Sequence, residues 1–106
     1  MIVEYIRYTI PAERRDAFEA GYGEAQRALA ASGHCLGWEL SRCVEESSSY
    51  ILRIEWDSAE GHMQGFRKSP EFAAFFAAVR PFFHDIAEMR HYEATAVRSA
   101  GSRADR

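Results

Sequence analysis

Four histidines, His34, His62, His84 and His91, are the side chains of this sequence best suited to acid–base chemistry, because an imidazole changes charge near neutral pH. They form no His-x-x-x-His pair, and Cys35 and Cys43 form no Cys-x-x-Cys, so the spacing supplies no metal motif and no bound metal is expected. His62 stands one helical turn before Phe66, which places the two side chains on one face. The imidazole is thereby set beside the main aromatic concentration of the chain, since six of its seven phenylalanines fall between Phe66 and Phe83. His34 follows Gly33, where a cation favours a helix end. No Ser-His-Asp or Cys-His nucleophile set can be assembled, and no glycine-rich phosphate loop follows a strand, so nucleotide and flavin cofactors have no support.

The elements that must position these groups follow from periodicity. Residues 2–10, IVEYIRYTI, are β-branched and aromatic and apolar on both faces, as a strand covered on two sides requires. Pro11 then opens a long helix in which Phe18, Tyr22, Ala25 and Leu29 recur at helical spacing until Gly33 stops it. Gly21 and Gly23 inside that helix call for a close backbone approach. Residues 35–44 read as a second strand with Leu36, Trp38, Leu40 and Val44 on one face, 45–49 as a hairpin loop, and 50–56 as a third strand with Tyr50, Leu52, Ile54 and Trp56 on one face.

Asp57 with Glu60 three residues later suggests a capping box opening a helix to about Lys68, and Ser69-Pro70 restarts it. In the second helix Phe72, Phe75, Phe76, Val79 and Phe83 form one apolar stripe. After Pro81 the chain turns into a last strand over 89–97. The tail, 98–106, lacks apolar periodicity and is expected to be disordered, which leaves residues 1–97 as one domain.

The order β-α-β-β-α(α)-β specifies an α+β, ferredoxin-like fold: a four-stranded antiparallel sheet with the helices on one face. Its uncovered face carries apolar first-strand residues, so a second copy packed against it, giving a dimeric α+β barrel, is expected. Trp38, Phe66, Phe72 and Phe76 either fill the space between sheet and helices as core or surround a mostly apolar cavity of the kind that holds small molecules. Gly61 and Gly65, one turn apart, leave room for a ligand or for tight packing.

Composition narrows the function classes. A net charge of -3 without a basic stripe argues against nucleic-acid binding. The charged N-terminal segment is neither a signal peptide nor a membrane span, and Cys35 and Cys43, held roughly 26 Å apart at about 3.3 Å per residue of strand, suit reduced thiols in the cytoplasm.

The first strand running into a proline, YILRIEWDSAE entering a helix, and FRKSPEFAAFF together resemble the antibiotic biosynthesis monooxygenase family, over roughly residues 1–97. The positions that carry the likeness are Trp56, Ser58, Phe66, Ser69, Pro70 and Phe72. The resemblance implies a dimeric α+β barrel and, among its activities, cofactor-free oxidation of electron-rich phenols and quinols, haem degradation, and isomerisation or breakdown of small metabolites. It also includes members without known activity, so a non-catalytic ligand-binding or accessory dimer is the competing expectation.

The haem-degrading branch is disfavoured, because Ile6, Phe66 and Phe76 stand where the resemblance calls for Asn, Trp and a haem-ligating His. The resemblance then implies, first, an enzyme that works without a cofactor on a small aromatic or quinol-type compound, with a non-catalytic dimer and an isomerase or degradative enzyme for a small metabolite as the alternatives. For the first, the catalytic candidates are His62 and Tyr8, the latter sharing its strand face with Ile6, in a pocket lined by Ile6, Trp38, Phe66, Phe72 and Phe76. His91, on the last strand, is expected at the contact between two copies.

Overall fold

The computed structural model describes residues 1–99. Four strands, β1 (Ile2–Thr9), β2 (Cys35–Arg42), β3 (Ser49–Trp56) and β4 (Ile86–Glu93), and two helices, α1 (Arg15–Ala31) and α2 (Pro70–Val79), form the expected ferredoxin-like α+β arrangement. The strand order is β2-β3-β1-β4, with every neighbouring pair antiparallel. Between β3 and α2 runs a π-helical turn, Gly61–Phe66, marked by the hydrogen bond from Arg67 N–H to the His62 carbonyl at 3.0 Å.

The core lies between the sheet and the helices. Tyr8, Leu52, Ile54 and Trp56 on the sheet meet Phe18, Tyr22 and Leu29 of α1 and Phe75 and Val79 of α2, all buried as the periodicity predicts. Burying a side chain such as Leu52 contributes about 1.5–3 kcal/mol, so this layer supplies most of the drive for the fold. The second helix begins as expected: Ser69 caps it by accepting the Phe72 N–H on its hydroxyl at 3.3 Å, with Pro70 in the first turn. Arg14 ties the start of α1 to the 3-10 turn Arg80–Asp85 that follows α2, through Asp85 at 2.6 Å and the Pro81 carbonyl at 2.8 Å.

Several boundaries differ from the expectation for identifiable reasons. The last strand runs Ile86–Glu93, not 89–97, because β1 supplies its partners and ends at Ile2, opposite Glu93. The second strand stops at Arg42, which leaves Val44 in solvent, and an irregularity between Cys35 and Gly37 turns Leu36 outward. The Asp57 carboxylate goes to His34 Nδ1 at 3.0 Å, so the cap of the following turn is Ser58, whose hydroxyl accepts the Gly61 N–H at 2.8 Å. Gly21 meets the expected close approach, at Phe82 and the Ala78 carbonyl, whereas a Cβ at Gly23 would meet nothing. Of the expected tail, 100–106 lie outside the described residues.

On the far side of the sheet, Arg53 donates to Glu55 at 2.6 Å and to the Tyr5 hydroxyl at 3.3 Å, while Tyr5 meets Tyr92 edge to face. Among the described residues no helix is long and apolar enough to cross a membrane.

Candidate functional site

A cavity of about 260 Å³ opens between α2 and the β1–β4 side of the sheet. Its walls are the apolar stripe of α2, chiefly Phe72, Phe75 and Phe76, together with Phe66 from the π-helical turn and Ile6 and Met89 from the sheet. Of the residues expected to line a pocket, Ile6, Phe66, Phe72 and Phe76 line this cavity and Trp38 lies outside it. Trp38 lies on edge strand β2, two strands from β1, and donates its indole N–H to Gln26 of α1 at 3.1 Å. The indole in the cavity wall is Trp56.

Glu4 and His62 at the polar end of the cavity belong to a cluster built from three elements, whose third member, His91, lies outside the cavity lining. Glu4 projects from β1 onto the helix side, because its alternation matches that of Ile6 and Tyr8. His91 stands directly opposite it on β4, and His62 descends from the π-helical turn. His62 stacks on Trp56 with ring centres 4.5 Å apart, and Phe66 packs on the same indole at 4.8 Å. The shared face expected for His62 and Phe66 is therefore present, organised by Trp56.

Glu4 is the hub of this cluster. Its Oε1 accepts the Trp56 indole N–H at 3.1 Å and lies 3.6 Å from His62 Nε2, while its Oε2 lies 3.3 Å from His91 Nε2. Burial raises the Glu4 carboxyl above the usual carboxylate range, opposed by the Trp56 hydrogen bond and by the charges of His91 and Arg67. His62 is 2 % exposed, and neither of its ring nitrogens has a hydrogen-bond partner among the described residues. Burial lowers it to about 4, with His91 and Arg67 acting in the same direction, so it is a neutral imidazole at pH 7. Arg67 borders the cavity with its guanidinium over the Phe72 ring.

Tyr8 borders the cavity as well, and its hydroxyl is bonded to that of Tyr22. Burial pushes Tyr8 up to about 12 and raises Tyr22 also, so both remain phenols and hydrogen-bond donors across the physiological range. His34 and His84 lie outside the cavity; His34 pairs with Asp57. Gly61 and Gly65 serve packing, since a Cβ on either would overlap Asp57 or the His34 ring.

His91 stands opposite Glu4 in the β1–β4 register and joins the polar cluster, with its side chain still 37% exposed. Sequence reasoning missed Glu4 altogether. Its signal was a carboxylate in a strand of otherwise apolar and aromatic residues on the face shared with Ile6 and Tyr8, a position that is rarely charged without a partner.

Residues 26% identical to this chain make up a Bordetella bronchiseptica structure provisionally assigned as an antibiotic biosynthesis monooxygenase, with TM-score 0.71 and coverage of 89% of this chain and 96% of that one. A mutant form of SnoaB, a cofactor-independent oxygenase from Streptomyces nogalater, shares the fold at TM-score 0.70 over 95% of this chain and 97% of its own, at 15% identity. The uncharacterized protein YczJ of Bacillus subtilis is 29% identical over 76 residues, 72% of this chain and 80% of YczJ. The family model described as antibiotic biosynthesis monooxygenase matches residues 1–78, well over half of the sequence, and the chain belongs to that family.

Proposed function

We propose that the protein is an oxygenase for a small, electron-rich aromatic compound carrying a hydroxyl or an enolisable carbonyl, bound in the cavity between α2 and the β1–β4 side of the sheet. The observation that carries this reading is the cavity itself. Its walls are almost wholly aromatic and aliphatic, and its polar groups, Glu4, His62 and Arg67, converge at one end, with the Tyr8 phenol as a further donor. Flat aromatic rings suit the walls, and a single oxygen function suits the polar end.

The reaction in view is oxidation of an activated CH2 to a carbonyl. The polar end withdraws the acidic proton and stabilises the resulting anion, and that carbanion or phenolate supplies the electrons that reduce oxygen. One oxygen atom of O2 enters the product and the other leaves as water with the two hydrogens of the CH2, so the substrate is its own reductant. The apolar walls keep water away from the intermediate. The name of SnoaB, a cofactor-independent oxygenase, supports this class of reaction.

A homodimer through the open sheet face is part of the same reading. It is supported by the exposed Ile51 and Tyr92 on that face and by the exposure of β4 along most of its length.

Oxygen uptake with anthrone- and quinol-like compounds tests the proposal. Substrate-dependent uptake is expected in the wild type and is expected to fall in His62→Ala and Tyr8→Phe with folding retained. Binding without uptake would favour a ligand-binding or accessory dimer.

A further inference from the structure

We propose that Glu4, His62 and His91 form a binding site for one divalent first-row transition-metal ion. One ligand atom from each residue can be chosen so that all three lie within 4.8 Å of one another, and each histidine already stands near one oxygen of the Glu4 carboxylate, His62 Nε2 at 3.6 Å from Oε1 and His91 Nε2 at 3.3 Å from Oε2. Ligand atoms held at about 2.1 Å from one ion stand roughly 3.0 Å apart in an octahedral site and about 3.4 Å apart in a tetrahedral one. Side-chain rotations that close separations of up to 4.8 Å toward these values bring the three onto a common centre.

The donor set is chemically apt. Two imidazoles and one carboxylate on one side of an ion leave positions open, an arrangement suited to iron(II), cobalt(II) or zinc(II) rather than to calcium or magnesium. No sequence motif announces it, because the three ligands come from β1, the π-helical turn and β4.

Two further features point to a ligand. His62 is buried with both ring nitrogens lacking hydrogen-bond partners among the described residues, and an unmet buried polar group costs about 1–3 kcal/mol, which an ion bound at Nε2 would offset. Glu4 is already oriented by the Trp56 indole N–H, the kind of supporting hydrogen bond that fixes a metal-ligating carboxylate. The register that pairs Glu4 with His91 holds two of the ligands on adjacent strands of a rigid sheet.

The charge balance also indicates what completes the site. A divalent ion with one carboxylate leaves a net positive charge, to which nearby Arg67 adds. The open positions consequently favour an anionic oxygen, such as a phenolate or enolate, presented by a molecule in the aromatic cavity. This claim goes beyond the proposed reaction and does not rest on it, because a redox-inert ion could hold the anion while the substrate still supplies the electrons.

Full-length protein stripped with a chelator and titrated with Co²⁺ tests the site through visible d–d absorption and calorimetry. One equivalent per chain is expected. Glu4→Gln, which keeps an oxygen acceptor for Trp56, is expected to weaken binding at least about 100-fold, two tenfold steps in affinity. His91→Ala, at a partly exposed position compatible with folding, is expected to weaken it at least about tenfold, and His84→Ala is expected to leave it unchanged. Absence of a bound equivalent in the wild type, or binding unaltered by both Glu4→Gln and His91→Ala, would overturn the site. The readout needs no substrate, so cobalt binding without oxygen uptake would refute the reaction alone, and oxygen uptake without cobalt binding would refute the metal site alone.

Discussion

Removing the hydroxyl of Tyr8 separates two accounts of how this side chain serves the cavity. Tyr8 and Tyr22 are 2 % and 5 % exposed, and each hydroxyl has the other as its partner. Tyr8→Phe leaves the Tyr22 hydroxyl buried and unmet, at a cost of about 1–3 kcal/mol. In a domain of this size each kcal/mol lowers Tm by about 4–8 °C, so a fall of at least about 4 °C is expected. The double variant Tyr8→Phe/Tyr22→Phe removes both polar groups from the same apolar space and should recover much of the loss, because replacing both partners is nearly neutral. Thermal and urea unfolding of the wild type, the two single variants and the double variant, at one protein concentration, close the cycle, with a coupling of about 0.5–3 kcal/mol expected. Single variants that each cost less than about 0.5 kcal/mol and simply add would show that the two hydroxyls do not bond in solution, and that the Tyr8 hydroxyl is instead directed to the cavity before any ligand arrives.

Further outcomes follow from the same structure. Because burial raises Tyr8 to about 12, its contribution to stability is fully present below the unfolded phenol value near pH 10 and is lost as pH rises through about 12, and burial raises Tyr22 in the same direction; ultraviolet tyrosinate titration with parallel unfolding curves should show ionisation of these two coinciding with alkaline unfolding, and early ionisation in folded protein would contradict it. Gly65→Ala should displace the His34 ring and break its pairing with Asp57, lowering stability by about 1 kcal/mol in urea melts, whereas Gly23→Ala, where a Cβ meets nothing, should stabilise by up to about 1 kcal/mol. Sedimentation at micromolar concentration should show a dimer, and Tyr92→Asp should shift it toward monomer; a wild-type monomer would remove the proposed sheet-face contact.

The sequence carried those parts of the structure that repeat. Alternation in YILRIEW and the three-four spacing of Phe72, Phe75, Phe76 and Val79 specify a strand and a helix with one buried face each, and Ser69-Pro70 marks the helix start through a cap that the backbone needs locally. With the element order, these suffice for the fold. The site was legible only where it follows from one element: Phe66 and His62 lie a turn apart, and Ile6 and Tyr8 alternate on one strand.

What escaped the sequence depends on which strands become neighbours. Trp38 is an apolar residue on the correct face of its own strand, yet the order β2-β3-β1-β4 puts that strand at the edge away from the cavity. His91 and Glu4 are far apart in sequence and meet only through the β1–β4 register. A charged residue met by itself in an apolar strand is easily read as a surface group, and its burial becomes intelligible only with Trp56, His62 and His91 around it.

The central claim, that the aromatic cavity is where an oxygen-consuming reaction takes place, is tested most directly by oxygen consumption with an anthrone-like substrate in the wild type and in Ile6→Trp. That variant directs an indole into the open volume at an overpacking cost of about 1–3 kcal/mol. The expected result is uptake of one O2 per substrate converted by the wild type, and near-complete loss in a folded Ile6→Trp protein. No uptake by the wild type across anthrone- and quinol-like compounds, or equal uptake by the plugged variant, would contradict it.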